Sequence, residues 1–207
     1  MTKAPCPEIA WWFAVEPKLP NGDNRPVVIG KTHAVKGKLI LCQKGLHWSA
    51  EPFDALQYAT GALLYKVRPG GGYLLDSDKG CSRRRTYLDM RDATEMLRAF
   101  ARAEALRVIH LWDAPEIVRR YLEAGDETIR AQARAAIATR GAASAAWAAY
   151  AAAWAARAAM AANAAWAASW STDAARAAAW AAARATDAGA RQRFNEAVTK
   201  LFAEPVA

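Results

Sequence analysis

The stretch AASAAWAAYAAAWAARAAMAANAAWAASW, residues 142–170, carries a large or polar side chain at nearly every third or fourth position on a background of alanine. Residues three or four apart lie on one face of an α-helix, and alanine has the highest intrinsic helix propensity. The spacing therefore predicts a long helix. It is the centre of a region, Ala131 to Ala190, in which alanine takes more than half of the positions and five of the nine tryptophans occur.

This region predicts an all-helical, alanine-rich array. Small side chains let neighbouring helices approach closely, and tryptophans fill the grooves between them. Turn residues at Gly141, 171–173 and Gly189 divide the array, and its last helix is predicted from Gln192 to Phe202. Only Arg157 interrupts a charge-free run from residue 141 to 172, but alanine is too weakly apolar to favour a membrane span.

Residues 1–88 predict a compact mixed sheet of short strands. Apolar runs lie at 9–15, 27–29, 39–41 and 62–67, and Pro69 with the following glycines is expected to end the last of these before Tyr73–Leu75 pairs back. Ser49 is a candidate N-cap for one short helix with Pro52 in its first turn. The predicted fold class is α+β, a mixed-sheet module over residues 1–88 followed by a helical domain over residues 89–207.

The pattern changes to a helical period at Asp89, which marks the predicted domain boundary. An amphipathic helix with its apolar face at Ala93, Leu97 and Phe100 is expected first, and His110 beyond it is expected to be packed. A second helix is expected from an Asp113 N-cap to a stop at Gly125.

Length, charge and cysteines bound the class of protein. The chain has 207 residues, a formal net charge of +8 and three cysteines at unrelated spacings. An odd number of cysteines suits a reducing compartment, and the first residues lack a signal-peptide pattern, so we expect a cytoplasmic protein. Cys42, His47 and Cys81 lack the spacing of a metal site, and no metal or cofactor is expected.

Two groups of side chains are candidate binding residues. Arg83, Arg84 and Arg85 form the densest basic point, although four nearby aspartates also fit a solvated turn. Arg176, Trp180 and Arg184 recur every four residues and therefore share one helix face. Tryptophan and arginine are enriched at interface hot spots, so this stripe is the second candidate surface.

The chain resembles uncharacterised proteins of phages and bacteria. In those proteins a module with a Cys, Gly-Leu/Phe-His and Pro-x-Asp pattern precedes a variable repetitive tail. Cys42, Gly45–His47 and Pro52–Asp54 match that pattern, and the likeness covers most of the chain. The resemblance implies no established activity.

A local segment is similar to ADP-ribosyltransferase-like folds. It spans Gly45 to Gly70, and the resemblance implies that His47 and Tyr58 line the nicotinamide part of an NAD pocket. The opening strand of this sequence, residues 10–15, has no His or Arg to hold the dinucleotide.

Two function hypotheses follow. The first is a non-enzymatic interaction protein of phage or mobile-element origin, an inhibitor or adaptor with an anti-defence role that binds a host protein or a protein–nucleic acid assembly. Nucleic acid is itself a candidate partner, as is a second copy of the chain, whereas a membrane is not expected. The alternative is an ADP-ribosyltransferase-like enzyme or an NAD- or nucleotide-binding domain.

Overall fold

The structure, a computed structural model, describes residues 5–111, 113–136 and 189–205. The chain divides into two units, one of Met1–Thr94 with Phe194–Ala207 and the other of Glu95–Arg193. Most of the predicted alanine-rich array, including Arg176, Trp180 and Arg184, lies outside the described residues.

The first unit is built on one five-stranded sheet. Its strands are β1 Ala10–Ala14, β2 Thr32–Ala34, β3 Leu46–Trp48, β4 Leu63–Leu75 and β5 Gly80–Asp92. The order is β1-β4-β5-β2, with β3 also paired to β5, and every pairing of these strands is antiparallel. The reversal from β4 to β5 takes only four residues, closed by the Asp76 N–H bonded to the Lys79 carbonyl at 2.8 Å. So short a connection can join only antiparallel strands.

The predicted fold class is therefore wrong. The sheet of the described residues is antiparallel rather than mixed, and these residues do not show an all-α array. The C-terminal helix α4, Gly189–Ala203, contributes its residues from Phe194 onward to the sheet unit. The sequence predicts this helix over 192–202 but places it in the array, because local periodicity does not reveal which surface covers an apolar helix face.

The long β4–β5 hairpin also differs from the prediction. Pro69 and the three glycines after it do not end β4, because register shifts after Lys66 and Gly70 take up the irregularity within the strand. Gly71 and Gly72 have φ of 68° and 85°, values that side-chain-bearing residues rarely adopt. Strand β5 likewise continues past the predicted helix start at Asp89, and the next helix, α2 (Thr94–Val108), begins only after it.

Aromatic side chains form the centre of the first unit. The rings of Trp12, Tyr65 and Tyr87 lie against one another with centroids 5.1–6.1 Å apart. On the opposite side of β1, helix α1 (Pro52–Leu56) and helix α4 pack through ring contacts between Phe53 and Phe194, and Trp11 meets Phe202 edge-on at 5.1 Å. Proline at the start of α1 is as predicted, with Glu51 rather than Ser49 at the N-cap.

The second unit contains helix α2, Thr94–Val108, a 3₁₀ turn at Ile109–Leu111 and helix α3, Glu116–Ala124. Gly125 ends α3 in the left-handed conformation, as predicted, and donates its N–H to the Tyr121 carbonyl. The N-cap is Pro115 rather than Asp113, and His110 is exposed rather than packed. Among the described residues, no helix is long and apolar enough to cross a membrane.

Candidate functional site

A cleft of about 450 Å³ opens in the first unit beside the sheet. Trp12 on β1 and Arg85 on β5 line its inner part, and the loop that leads into β3 forms one wall. Tyr58 and Lys79 lie at its mouth, since Tyr58 is 46% exposed. The antiparallel sheet thus brings together side chains from four separate segments of the chain.

Arg85 is the central charged group of the cleft. It is only 2% exposed, and its guanidinium carbon lies 3.9 Å from the centre of the Trp12 ring. Nη1 donates to the His47 carbonyl at 2.5 Å, while Nε and Nη2 donate to the Tyr87 hydroxyl at 3.4 and 3.2 Å. Burial lowers the pKa of Arg85, and among the described residues no carboxylate forms an ion pair with it. A buried guanidinium is therefore held by aromatic faces and neutral oxygens alone.

Hydrogen bonds through the Tyr87 hydroxyl connect Arg85 to His33 on β2. The Tyr87 oxygen accepts two bonds from Arg85, and His33 Nδ1 lies 3.0 Å from the same oxygen. Because the Tyr87 oxygen is occupied as an acceptor, we infer that its hydrogen is donated to Nδ1, which places the proton of a neutral His33 on Nε2. That Nε2 is buried and has no partner among the residues that the structure describes. Burial, followed by the charge of Arg25, lowers the pKa of His33.

His47 closes the loop that forms the cleft wall. Its Nε2 accepts a hydrogen bond from the Cys42 N–H at 3.0 Å, which holds Cys42 at a φ of 65°. Burial, with smaller contributions from Arg85 and Lys79, lowers the pKa of His47. The imidazole is therefore neutral near pH 7 and acts as an acceptor for the loop backbone.

Tyr58, Asp78 and Lys79 form a polar cluster at the mouth. The Tyr58 hydroxyl donates to Asp78 at 2.5 Å and accepts from Lys79 Nζ at 3.1 Å. The bond to Asp78 is the main cause of a raised Tyr58 pKa, and the bond to Tyr58 raises the pKa of Lys79. Lys79 thus stays charged and lies over the Tyr58 ring, 4.7 Å from its centre.

The charge balance of the cleft lining is positive. Lys44, Lys79 and Arg85 line it, and Asp23 is the one carboxylate among the described lining residues. Asp23 accepts two hydrogen bonds from Arg25, at 2.6 and 2.8 Å, so its charge is already compensated. The lining also includes three tryptophans, Trp11, Trp12 and Trp48. The cleft is therefore aromatic and cationic.

The candidate residues predicted from the sequence lie in different surroundings in the structure. His47 and Tyr58 both line the cleft. The three consecutive arginines differ in burial, since Arg85 lies inside while Arg83 and Arg84 are exposed. Trp12 and Lys79 were not singled out from the sequence. The signal for Trp12 was a tryptophan pair in an apolar strand, which also fits simple core packing.

Metal binding finds no support in the part of the chain that is described, where no three His, Cys, Asp or Glu side chains cluster to hold an ion. Cys42 is exposed and Cys81 buried, both as free thiols. No known family model, curated protein or solved structure matches this chain.

Proposed function

We propose that the first unit is a non-enzymatic binding module whose cleft takes a planar, anionic ligand of the nucleotide class. The observation that carries this proposal is Arg85, a buried guanidinium that lines the cleft, stacks on Trp12 and has no ion-pair partner among the described residues. A charge removed from water costs free energy unless an opposite charge compensates it. An anion bound in the cleft would supply that compensation.

The rest of the lining supports the same ligand class. Indole faces stack on planar rings, and lysines at a cleft mouth attract phosphate. The volume of about 450 Å³ lies within the usual range of small-molecule sites. A nucleobase packed against the tryptophans, with its phosphate toward Lys79 or Lys44, would contact both the aromatic and the cationic parts of the cleft.

Binding fits the cleft better than group transfer does. A transferase site needs a group that stabilises charge developing on the substrate, and a general acid or base with a suitable pKa. Asp23 in the lining is paired with Arg25, and the neutral His47 already serves as a hydrogen-bond acceptor. Tyr58 and Lys79 at the mouth are bonded to each other, Tyr58 is also bonded to Asp78, and the pKa of each is raised. The proposed function is therefore that of an interaction protein. It keeps the pocket implied by the ADP-ribosyltransferase-like resemblance, but not the activity.

The test is a titration of the full chain with AMP, ADP and NAD, followed by calorimetry and by tryptophan fluorescence. We expect micromolar binding of at least one nucleotide and much weaker binding of adenosine, which lacks phosphate. Lys79→Gln should weaken binding, whereas Lys200→Gln on the exposed side of α4 should not. Arg85→Met should weaken it about 10- to 100-fold, the equivalent of losing a hydrogen bond to a charged group.

Two outcomes would contradict the proposed nucleotide site. If all three nucleotides fail to bind at millimolar concentration while the protein melts cooperatively, the cleft is not a nucleotide site. Equal affinity for adenosine and AMP would show that the cations of the cleft play no part in binding.

A further inference from the structure

Two segments of the first unit contain no acidic residue. Residues 24–50 and 79–88 together hold nine Lys and Arg residues and no Asp or Glu. Strands β2 and β3 lie in the first segment, and both pair with β5, which begins in the second. The sheet therefore brings these two segments together on the side of β5 that pairs with β2 and β3.

The cations converge most closely at Gly37. Arg83 donates from Nη1 to the Gly37 carbonyl at 2.5 Å. Lys44 Nζ lies 2.9 Å from the position that a Cβ atom on Gly37 would take. Lys36 and Lys38, on either side of Gly37, are both exposed. Arg83 and Lys44 thus meet at Gly37, and an exposed lysine lies on either side of that glycine in the chain.

Arg84 follows Arg83 on β5, and its side chain is exposed on the opposite face of that strand. Its partners across the two neighbouring strands are Gly70 on β4 and Ala34 on β2, so small residues flank the guanidinium on both sides. Beside it, the hydroxyls of Thr32 and Thr86 are 2.7 Å apart on the same face. A phosphate approaching this face would meet a cation and two hydroxyls without steric hindrance.

Within the described ranges 5–111, 113–136 and 189–205, no carboxylate forms an ion pair with Lys36, Lys38, Lys44, Arg83 or Arg84. The repulsion among these like charges is therefore not offset by such pairs. We call this group, Lys36, Lys38, Lys44, Arg83 and Arg84, the basic edge. An extended polyanion would relieve its repulsion along the whole length, whereas a single small anion would reach only part of it. Surfaces that bind bilayers pair their cations with an inserting apolar face, and the neighbours of Arg84 are small or polar.

We propose that the basic edge binds the phosphate backbone of nucleic acid without reading its sequence. Phosphate contacts made by Lys and Arg position a protein on nucleic acid but carry no sequence information. The basic edge lies outside the nucleotide cleft except at Lys44, so this proposal does not depend on the cleft.

The experiment measures binding of the full chain to short fluorescent RNA and DNA strands and to duplex DNA over a series of salt concentrations. We expect similar affinity for unrelated sequences and a steep loss of affinity with salt. The double variant Lys38→Gln/Arg84→Gln should reduce the slope of log affinity against log salt by about 1.4 to 1.8, since each phosphate contact contributes roughly 0.7 to 0.9.

A matched control removes two charges elsewhere. Lys18, in an exposed ion pair with Glu16, and Lys200 on α4 are both exposed, and Lys18→Gln/Lys200→Gln should leave the slope unchanged. Equal losses in both double variants would overturn the proposal, because net charge alone would then explain binding. Salt-independent affinity, or binding to phosphatidylserine vesicles without binding to any strand, would also overturn it. AMP affinity should be the same in the basic-edge variant, which keeps this test separate from that of the cleft.

Discussion

The two faces of strand β5 place neighbouring residues in opposite surroundings. Arg85 and Tyr87 point inward, at 2% and 0% exposure, while Arg84 is exposed and Thr86 half-buried on the other face. Successive side chains of a strand point to opposite faces, so one position separates a buried guanidinium from a solvated one. The same residue type can therefore stack on a tryptophan inside the cleft or belong to the basic edge outside it.

The largest expected effect is a difference in stability between variants on the two faces of β5. Tyr87→Ala removes a fully buried ring that contacts Tyr65 and Trp12 and leaves Arg85 without its hydroxyl acceptor. We expect a loss of about 3–5 kcal/mol in the free energy of unfolding, as for other buried aromatic truncations. Thr86→Ala, one position away, loses a single hydroxyl pair and should cost less than about 1 kcal/mol. Urea denaturation of both variants makes the comparison, and similar losses would mean that the faces do not differ in packing.

A smaller effect is expected for the two arginines. Arg85→Met fills a similar volume but leaves the His47 carbonyl and the Tyr87 oxygen without their donors. Unsatisfied buried acceptors cost about 1–3 kcal/mol, so Arg85→Met should destabilise by that amount. Arg84→Met should stay within about 0.5 kcal/mol, as is usual for exposed positions. Thermal melts of the pair decide the matter, and a raised melting temperature for Arg85→Met would contradict this expectation.

The smallest expected effect is the pH dependence of stability, which we attribute to His33 and His47. The folded pKa of His33 lies below its ordinary value of 6.5 because of burial and the charges of Arg25, Lys31 and Arg85, which Asp23 only partly offsets. Burial also depresses the pKa of His47, beside Arg85 and Lys79. Below about pH 6.5 the unfolded chain therefore binds more protons than the folded one, and stability falls as the pH drops.

Urea midpoints between neutral and mildly acidic pH measure this effect. His33→Phe should flatten the profile by removing one of the two histidines whose pKa is lowered. An unchanged profile in His33→Phe would show that His33 does not contribute to the pH dependence of stability.

The sequence by itself determined the local elements of this protein. Turn and cap residues such as Pro52 and Gly125 act within a few positions of themselves, so the α1 start and the end of α3 were predictable. The last helix was also predictable, since its residues repeat with a helical period. His47 and Tyr58 both line the cleft, but their assignment to a nucleotide pocket stays a prediction.

Only the tertiary structure decided the sheet and the division of the arginines. Register shifts in β4 carry the chain past Pro69 and the glycines, and no local pattern indicates that a partner strand will accommodate such shifts. Arg85 faces Trp12 because β1, β4 and β5 align residues that are more than seventy positions apart in the chain. Burial of that arginine depends on these long-range pairings, whereas sequence periodicity reports only neighbours within a few residues.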